Sequence, residues 1–449
     1  MRVAHWAETA IFWHVYPLGF LGAPHTATDA TGATGATGAT DSVDSGAATP
    51  RLRQLNNWLD YVLGLGANGL LLGPVFACET HGYDTVDYYR IDPRLGTEED
   101  LVDLFEQAAG RGIKVVLDGV FNHVGRSFPP LTDVLEHGDQ SPFAAWFRRR
   151  PDGAFNCFEG HEQLVTLNHD EPQVVDYVCD VMTYWLDRGA SGWRLDAAYA
   201  VPTTFWRQVT DRVRAKHPDA WLLGEVIHGD YPSFVTKAGV DSVTQYELWK
   251  ATWSSLNDGN FYELAWALER HGQLLETFLP QTFLGNHDVT RIASQLEDPR
   301  RVTHALVLLL TMAGIPSIYA GDEQGMLGVK EHREGGDDSI RPAFPAHPEG
   351  LPDAAEEMLR LHRELVGLRR RHPWLVRART VVEHLANTLL LLRVTDGTSE
   401  LLVALNLGEP DTVVLPSQPW HLVAGSGQVA GNCVILAAHG WCVLAPARR

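Results

Sequence analysis

Cysteine is scarce in this sequence. The 449 residues include only Cys78, Cys157, Cys179, Cys433 and Cys442. Their number is odd and no pair has the CxxC spacing, so we expect reduced thiols rather than a disulfide or zinc framework. No uncharged apolar run approaches the roughly 20 residues of a membrane span, which argues against a membrane protein. The first 17 residues lack the pattern of a signal peptide, so we expect a cytoplasmic location.

Basic residues are also few relative to acidic ones. Lys and Arg total 36 against 56 Asp and Glu, which gives a formal net charge of −20. Because binding to a phosphate backbone depends on clustered positive charge, this balance argues against a nucleic-acid partner. Hydrophobic residues, by contrast, make up 45% of the chain and include 14 Trp. That composition is typical of a globular protein with a large core.

Short apolar runs alternate with helix-like segments from residue 11 to about residue 372, the pattern of repeated βα units. Eight runs read as strands, at residues 11–17, 69–72, 113–118, 192–196, 221–225, 242–246, 282–285 and 315–319. Eight parallel strands close a barrel. We therefore predict an α/β fold, a (β/α)8 TIM barrel formed by residues 1–123 and 167–372.

Three further segments depart from this alternation. Residues 124–166, after the third strand, are rich in Pro and aromatic residues and are expected to form a small inserted subdomain over the active-site face. Residues 373–449 show short period-2 runs separated by turns, which predicts a C-terminal antiparallel β-sandwich domain. Residues 24–48 repeat Gly, Ala and Thr. They have too few large apolar groups to order the chain, so we expect a flexible loop.

Polar residues are concentrated where four of the predicted strands end. The segments are DGVFNH (118–123), GWRLDA (192–197), GEV (224–226) and FLGNHD (283–288). Strand ends of a parallel barrel share one face, so these side chains are expected to converge. Each residue alone has a structural explanation, such as a helix cap or an ion pair. Burial of several carboxylates with cations in one place is costly, so their convergence indicates a functional site.

The grouped carboxylates suit glycoside cleavage. Retention of configuration needs one carboxylate to attack the anomeric carbon and a protonated partner about 5 to 5.5 Å away. Arg194 precedes Asp196 by two residues and shares its strand face, so we expect it to keep Asp196 ionised as the nucleophile. Glu225 lies among apolar residues, and we expect it to hold the proton and act as the general acid. Asp288 then suits the hydroxyls of the reacting sugar.

These motifs carry a family resemblance. Together with HGYDTVDYYRIDPRLGT (81–97) and LNHDEP (167–172), they occur in the order typical of the α-amylase family, glycoside hydrolase family 13, and the sequence resembles that family from residue 11 onward. The resemblance implies Asp196 as nucleophile, Glu225 as acid/base and Asp288 as transition-state stabiliser. It implies that the reacting glucose is bound by Asp118, His123, Arg194 and His287, with Tyr83 stacked on its ring. We also assign Arg291 and His228 to substrate binding.

The segment 167–197 and GEVIH (224–228) are most similar to the neopullulanase and cyclomaltodextrinase branch, whose members act on maltooligosaccharides and cyclodextrins. In this family, alanine at position 197 accompanies α-1,4 cleavage. We therefore expect a hydrolase of α-1,4 bonds with an α-glucan oligosaccharide as its partner. The alternatives are a transglycosylase, an α-1,6-active glucosidase and an inactive glucan-binding module. Tyr199 and Ala200 replace the Lys-His of many secreted amylases, so the acceptor side is expected to be unusual.

No cofactor is implied by the motifs. Asn122 matches a position that binds Ca²⁺ in many amylases, and its amide oxygen suits that ion. Calcium needs six or more oxygen ligands, however, and residues 124–166 show no acidic cluster. We therefore expect no cofactor and no metal, with a structural calcium ion as the alternative.

Overall fold

The structure is a computed structural model that describes residues 5–25, 50–333, 335–352 and 356–447. Its central element is a barrel. Its eight strands are β1 (Phe12–Val15), β2 (Gly69–Leu72), β3 (Lys114–Gly119), β4 (Gly192–Leu195), β5 (Trp221–Gly224), β6 (Ser242–Val243), β7 (Gln281–Phe283) and β8 (Ile315–Tyr319). They form one parallel sheet in the order β6-β5-β4-β3-β2-β1-β8-β7. A parallel bridge between Thr244 and Gln281 closes the remaining gap. The predicted (β/α)8 barrel is confirmed.

Strand β6 is shorter than the sequence predicts. It covers two residues instead of residues 242–246, because helix α8 already begins at Tyr246. The early turn brings the Tyr246 hydroxyl to the carboxyl end of the barrel, where it lies 3.4 Å from Glu225 Oε1. The segment predicted as a strand therefore ends in the first residue of a helix, Tyr246, and this residue contributes to the site.

The helices surround the barrel and several start at recognisable caps. Their bounds are α1 (Pro17–Phe20), α2 (Leu59–Leu65), α3 (Glu98–Gly110), α4 (Pro129–His137), α5 (Pro172–Asp187), α6 (Thr203–Lys216), α7 (Tyr231–Ala238), α8 (Tyr246–Asp258), α9 (Tyr262–Leu274), α10 (Ile292–Gln295), α11 (Val302–Thr311) and α12 (Glu356–Arg371). Thr97 and Asp100 form a capping box at α3, and Glu171 caps α5. Such caps satisfy backbone N–H groups that have no partner within the helix.

The chain makes an excursion between β3 and α5. Two short antiparallel strands, His123–Val124 and Val165–Thr166, lie side by side where it leaves and returns. Between them the aromatic side chains of Trp146, Phe147 and Phe155 are buried. These side chains belong to the same hydrophobic core as the barrel, and the excursion begins one residue after Asn122, beside the strand ends that carry the acidic residues.

The C-terminal part is an antiparallel β-domain, as predicted. Its strands are β9 (Arg379–Leu385), β10 (Leu389–Thr395), β11 (Glu400–Asn406), β12 (Asp411–Val414), β13 (Trp420–Gly425), β14 (Gln428–Ala430), β15 (Cys433–Leu436) and β16 (Trp441–Pro446). They form a five-stranded and a three-stranded sheet. Strands β13 and β14 were not expected from the sequence, because most of their side chains are at least partly exposed and they lack an apolar alternation.

Two sequence expectations concern the remainder of the chain. The predicted Gly/Ala/Thr-rich loop, residues 24–48, lies outside the described residues except for its first two positions. Within the described ranges, no helix has the length and apolar character needed to cross a membrane.

Candidate active site

Acidic side chains from four strand ends meet at one end of the barrel. Asp118 lies on β3, opposite Arg194 on β4 in the parallel register, and Asp196 follows β4 directly. Glu225 follows β5, and its backbone N–H donates to the Leu195 carbonyl at 2.9 Å. Asp118, Arg194, Asp196 and Glu225 are each at most 7% exposed. The predicted convergence of these residues is thus present.

Arg194 lies at the centre of this cluster. Its Nη1 donates to both carboxylate oxygens of Asp118, at 2.7 and 2.6 Å, and to Asp196 Oδ1 at 3.3 Å. Its Nη2 is 2.7 Å from Glu225 Oε1 and 3.9 Å from Asp288 Oδ2. One planar guanidinium therefore faces all four carboxyl groups, an arrangement that Arg permits through its fixed fork of donors. The pKa of Arg194 is raised well above its usual range, because these carboxylates outweigh the effect of burial.

The electrostatics differ from the sequence expectation for Asp196. Burial, together with the nearby carboxylates of Glu225 and Asp118, raises the pKa of Asp196 well above its usual range despite Arg194. The closest contacts of Arg194 go to Asp118 and Glu225 rather than to Asp196. This direction is opposite to the prediction that Arg194 keeps Asp196 ionised. The cause is that one cation is shared among several buried acids.

Glu225 is held by N–H and O–H donors on both oxygens. The backbone N–H of Ala197 donates to Oε2 at 2.9 Å, and Arg194 and the Tyr246 hydroxyl face Oε1. Ala197 reaches this position with φ at 43°, in the left-handed region that a non-glycine residue seldom adopts. The turn after Asp196 is thus shaped so that its backbone fixes the second carboxyl group. Such unusual backbone is found preferentially at functional sites.

Asp288 occupies the outer side of the cluster. Its Oδ2 is 3.0 Å from His287 Nε2, and its Oδ1 accepts from Arg341 Nη2 at 3.1 Å. Burial acts to raise the pKa of Asp288, but the combined effect of His287, Arg341 and Arg194 holds it well below its usual range. The Asp288 side chain is about 30% exposed. This carboxylate is therefore ionised and open to a ligand.

Tyr83, His123 and His287 line the cluster as predicted. The Tyr83 hydroxyl donates to Asp118 Oδ2 at 3.0 Å and contacts His287 Nε2, and the two rings are nearly parallel. His123 Nε2 bonds the Tyr83 carbonyl oxygen at 3.0 Å, and its ring stacks on Phe158 of the excursion. Burial lowers the pKa of His123 to about 4. His123 is therefore a neutral ring that joins the excursion to the active-site wall.

Two predicted substrate contacts lie apart from the carboxylates. The guanidinium of Arg291 is 1% exposed and donates to the carbonyls of Ala320 and Ile340 and to Asp322. Arg291 therefore supports the backbone of the loop that carries Arg341. His228 is exposed, and its ring centroid lies 6.2 Å from that of Tyr199, at the rim of the site.

The structure adds residues that the motifs did not reveal. Arg341 bonds both Asp288 and the His287 carbonyl, Tyr246 contacts Glu225, and Asn286 donates to the Tyr246 hydroxyl at 2.9 Å. His14 of β1 lies 3.1 Å from His287. Asn286 lies within the predicted GNHD motif and could have been included. Arg341 lies 53 residues from Asp288 along the chain, in a loop without a periodic pattern, so no local signal pointed to it.

The excursion also reaches the rim of the site near the segment after Asp196. The Tyr199 hydroxyl donates to Glu159 Oε1 at 2.9 Å, across 40 residues of sequence. Glu159 itself has φ at 49°. Burial and the Glu159 carboxylate raise the pKa of Tyr199, so the hydroxyl keeps its proton and the hydrogen bond. The unusual Tyr199 is thus a tie between the barrel and the excursion.

The residues that could hold a metal ion give no clear site. No group of three or more His, Cys, Asp and Glu side chains with a metal-binding arrangement occurs in the part of the chain that the structure describes. Asn122 is buried, its amide nitrogen lies 3.0 Å from His123 Nδ1, and its Oδ1 has no hydrogen-bond partner. One free amide oxygen is far from the six or more oxygen ligands that calcium takes.

Comparison with known proteins identifies the family. The sequence matches the alpha-amylase catalytic domain over residues 41–162 and 144–347. This chain belongs to the alpha-amylase family. Within that family it is similar to a cyclomaltodextrinase of Geobacillus thermopakistaniensis (strain MAS1), with 33% identity over 79% of this chain and 62% of that protein. It is also similar to neopullulanase 2 of Thermoactinomyces vulgaris, with 30% identity over 91% of this chain and 71% of that protein.

Solved structures of the alpha-amylase family resemble the whole described fold. A debranching enzyme of Nostoc punctiforme has a TM-score of 0.83 and 28% identity, with 99% of this chain and 100% of that chain covered. A cyclic α-maltosyl-(1→6)-maltose hydrolase of Arthrobacter globiformis, in complex with that sugar, has a TM-score of 0.82 and 26% identity at the same coverage. The chain spans 62% of the length of the Geobacillus cyclomaltodextrinase.

Proposed function

We propose that the protein is a retaining glycoside hydrolase that cleaves α-1,4-glucosidic bonds in maltooligosaccharides and in short or cyclic α-glucans. The observation that carries the proposal is the contact of Asp196 and Glu225 with the two terminal nitrogens of one guanidinium, Arg194. Contact with one guanidinium brings these two carboxyl groups near each other, and retention requires such a closely spaced pair. The names of the cyclomaltodextrinase, neopullulanase and maltogenic alpha-amylase relatives support the choice of substrate.

In the proposed mechanism, a carboxylate oxygen of Asp196 attacks the anomeric carbon while Glu225 gives its proton to the departing glycosidic oxygen. A covalent glycosyl-enzyme results, and Glu225 then takes a proton from the water that displaces Asp196. Asp288, with His287 beside it and Arg341 behind it, hydrogen-bonds the hydroxyls of the reacting sugar. The sugar carries positive charge in the transition state, which the surrounding carboxylates stabilise.

The pair must hold one proton at the start of this cycle, on Glu225. Burial and the neighbouring acids raise the pKa of Asp196, whereas both oxygens of Glu225 face donors. We propose that the incoming glycosidic oxygen, which is an acceptor, binds next to Glu225 and makes the proton more favourable there. Asp196 then becomes the free carboxylate that attacks. Substrate binding and nucleophile activation are thereby one event.

Two further proposals concern the dependence on metal ions and the cellular location. The charges needed for the reaction come from side chains, so we propose that it needs neither cofactor nor metal ion. We also propose that the protein acts in the cytoplasm, with support from an intracellular maltogenic amylase of Bacillus subtilis that is 30% identical over 61% of this chain. A chelator should leave the rate unchanged, and fractionation of the cells should recover the protein with cytoplasmic markers.

The product profile on maltotriose, panose, pullulan and cyclodextrin tests the function. We expect maltotriose and cyclodextrin to be cleaved at α-1,4 bonds, and proton NMR to show the α-anomer first. An initial β-anomer would contradict retention, and cleavage confined to α-1,6 bonds would contradict the linkage. Products longer than maltotriose would show transfer to a sugar acceptor instead of water. Asp196→Asn is the control, since an inactive binding module would give the same result with and without this change.

A further inference from the structure

His14 is a second histidine inside the barrel, and no motif of the sequence pointed to it. It lies on β1, is 4% exposed, and its Nε2 is 3.1 Å from Nδ1 of His287. The two rings meet edge to face, with centroids 5.0 Å apart and planes at 83°. A neutral histidine carries its proton on one nitrogen, and the partner of the other nitrogen decides which. His14 is therefore placed to decide the protonated nitrogen of His287.

The other nitrogen of His287 faces two groups that need a proton from it. Asp288 Oδ2 lies 3.0 Å from Nε2, and an ionised carboxylate only accepts hydrogen bonds. The Tyr83 hydroxyl also contacts Nε2, but its single proton is donated to Asp118 Oδ2 at 3.0 Å. The Tyr83 oxygen is thus an acceptor towards His287. Both neighbours are satisfied when the proton of His287 lies on Nε2.

If the single proton of His287 lies on Nε2, its Nδ1 is an acceptor, which then needs a donor. Among the residues that the structure describes, the hydrogen-bond partner of this nitrogen is His14. His14 itself is neutral, because burial lowers its pKa well below the usual value. Its Nε2–H can therefore donate. The hydrogen bonds run in one direction, from His14 to His287 and from His287 to Asp288 and Tyr83.

We propose that His14 is a positioning residue, whose Nε2–H holds His287 in the tautomer that presents Nε2–H to Asp288 and to the sugar hydroxyls. The proposal rests on the proposed function only for the identity of the sugar. The ring of Tyr319 faces His14 at a centroid distance of 5.4 Å. His14 also lines a small cavity together with Arg194, Glu225 and Gln281. His14 thus connects the interior of the barrel with the face that binds substrate.

Two substitutions separate the hydrogen bond from packing. His14→Gln keeps an N–H donor of similar reach, whereas His14→Leu removes the donor and keeps much of the bulk. We expect kcat/KM on maltotriose to fall about ten- to a hundredfold in His14→Leu, the range found when orienting partners of metal-bound histidines are removed. His14→Gln should stay within a few-fold of the wild type. Melting temperatures show whether both variants are folded.

Nitrogen-15 NMR of protein labelled in its histidines gives a readout independent of activity. The signals of His287 are assigned by their loss in His287→Gln, and their shifts report which ring nitrogen carries the proton. We expect the Nε2–H form in the wild type and in His14→Gln, and loss of that pure form in His14→Leu.

A wild-type His287 with its proton on Nδ1, or on both nitrogens, would overturn the proposal. So would an unchanged tautomer in His14→Leu, or equal losses of kcat/KM in both variants. If the wild type cleaves no glucan while the tautomer responds as expected, the proposed function fails and the role of His14 in orienting His287 stands.

Discussion

Removal of the acid/base carboxyl group should affect natural and activated substrates very differently. In the structure, Glu225 Oε2 accepts from the Ala197 N–H at 2.9 Å, and Oε1 lies 2.7 Å from Arg194 Nη2. Glu225→Gln leaves one oxygen for these two donors, so the amide N–H₂ must face one of them. Glu225→Ala removes the carboxyl group and leaves both donors without this acceptor. Comparison of the two variants separates lost proton transfer from a distorted site.

The magnitude follows from the two effects. General acid catalysis contributes about 10²- to 10⁴-fold, so kcat on maltotriose should fall by that factor in both variants. In Glu225→Gln, the amide N–H₂ faces another donor, so a buried polar group has no acceptor. This costs about 1–3 kcal/mol of folding free energy. Fluoride leaves without protonation, so the first step on α-glucosyl fluoride should be slowed far less. Azide, which needs no base, should accelerate turnover of the glycosyl-enzyme in Glu225→Ala.

The assay is a comparison of kcat and KM on maltotriose and α-glucosyl fluoride, with and without azide, for the wild type and both variants. Thermal unfolding measures the stability difference. The matched control is Glu159→Gln, which changes a carboxyl group at the exposed rim of the site. Equal losses on both substrates in the presence of azide, or near wild-type activity on maltotriose, would refute the assignment of Glu225 as the proton donor.

The remaining predictions concern the nucleophile, the pH dependence, the rim and metal ions. Asp196→Asn should lower kcat on maltotriose and on α-glucosyl fluoride by on the order of 10⁴-fold or more, as removal of other covalent nucleophiles does; an active variant would contradict the mechanism. Arg341→Met should raise the pKa of Asp288, which Arg341 helps to keep low. As the pH is lowered, the variant should therefore lose the activity that needs ionised Asp288 at a higher pH than the wild type does. An unchanged acid limb of the kcat/KM profile would argue against this role. Tyr199→Phe removes the hydrogen bond to Glu159, and the ratio of transfer to hydrolysis products from maltotriose should change while the melting temperature does not. Dialysis against a chelator should change neither activity nor melting temperature, and recovery of a lost activity by Ca²⁺ would show that calcium is needed.

The barrel and the central residues of the site could be predicted because each signal is local. A buried strand followed by a polar residue occupies a few consecutive positions, and the parallel barrel brings such ends together without further information. Asp118, Arg194, Asp196 and Glu225 all belong to this class, and all four lie in one buried cluster.

Residues whose position depends on long loops were not predicted. Arg341 reaches Asp288 from a loop whose backbone is fixed at Ile340, where Arg291 and Tyr319 both donate to the carbonyl oxygen. Arg291 was assigned to substrate binding, yet its side chain turns inward to Asp322. Proximity in sequence says little about the direction of a side chain in a loop, since no repeating geometry relates one loop residue to the next.

The charge balance of the cluster explains why one site can suit both a buried proton and a developing cation. Four carboxyl groups surround Arg194, and Arg341 approaches only from the outer side. With so few cations nearby, burial and the neighbouring acids raise the pKa of Asp196. When the sugar becomes positively charged, the same excess of carboxylates turns from a source of repulsion into a source of stabilisation. The unfavourable electrostatics among the buried acids and the favourable electrostatics of the transition state therefore have a common origin.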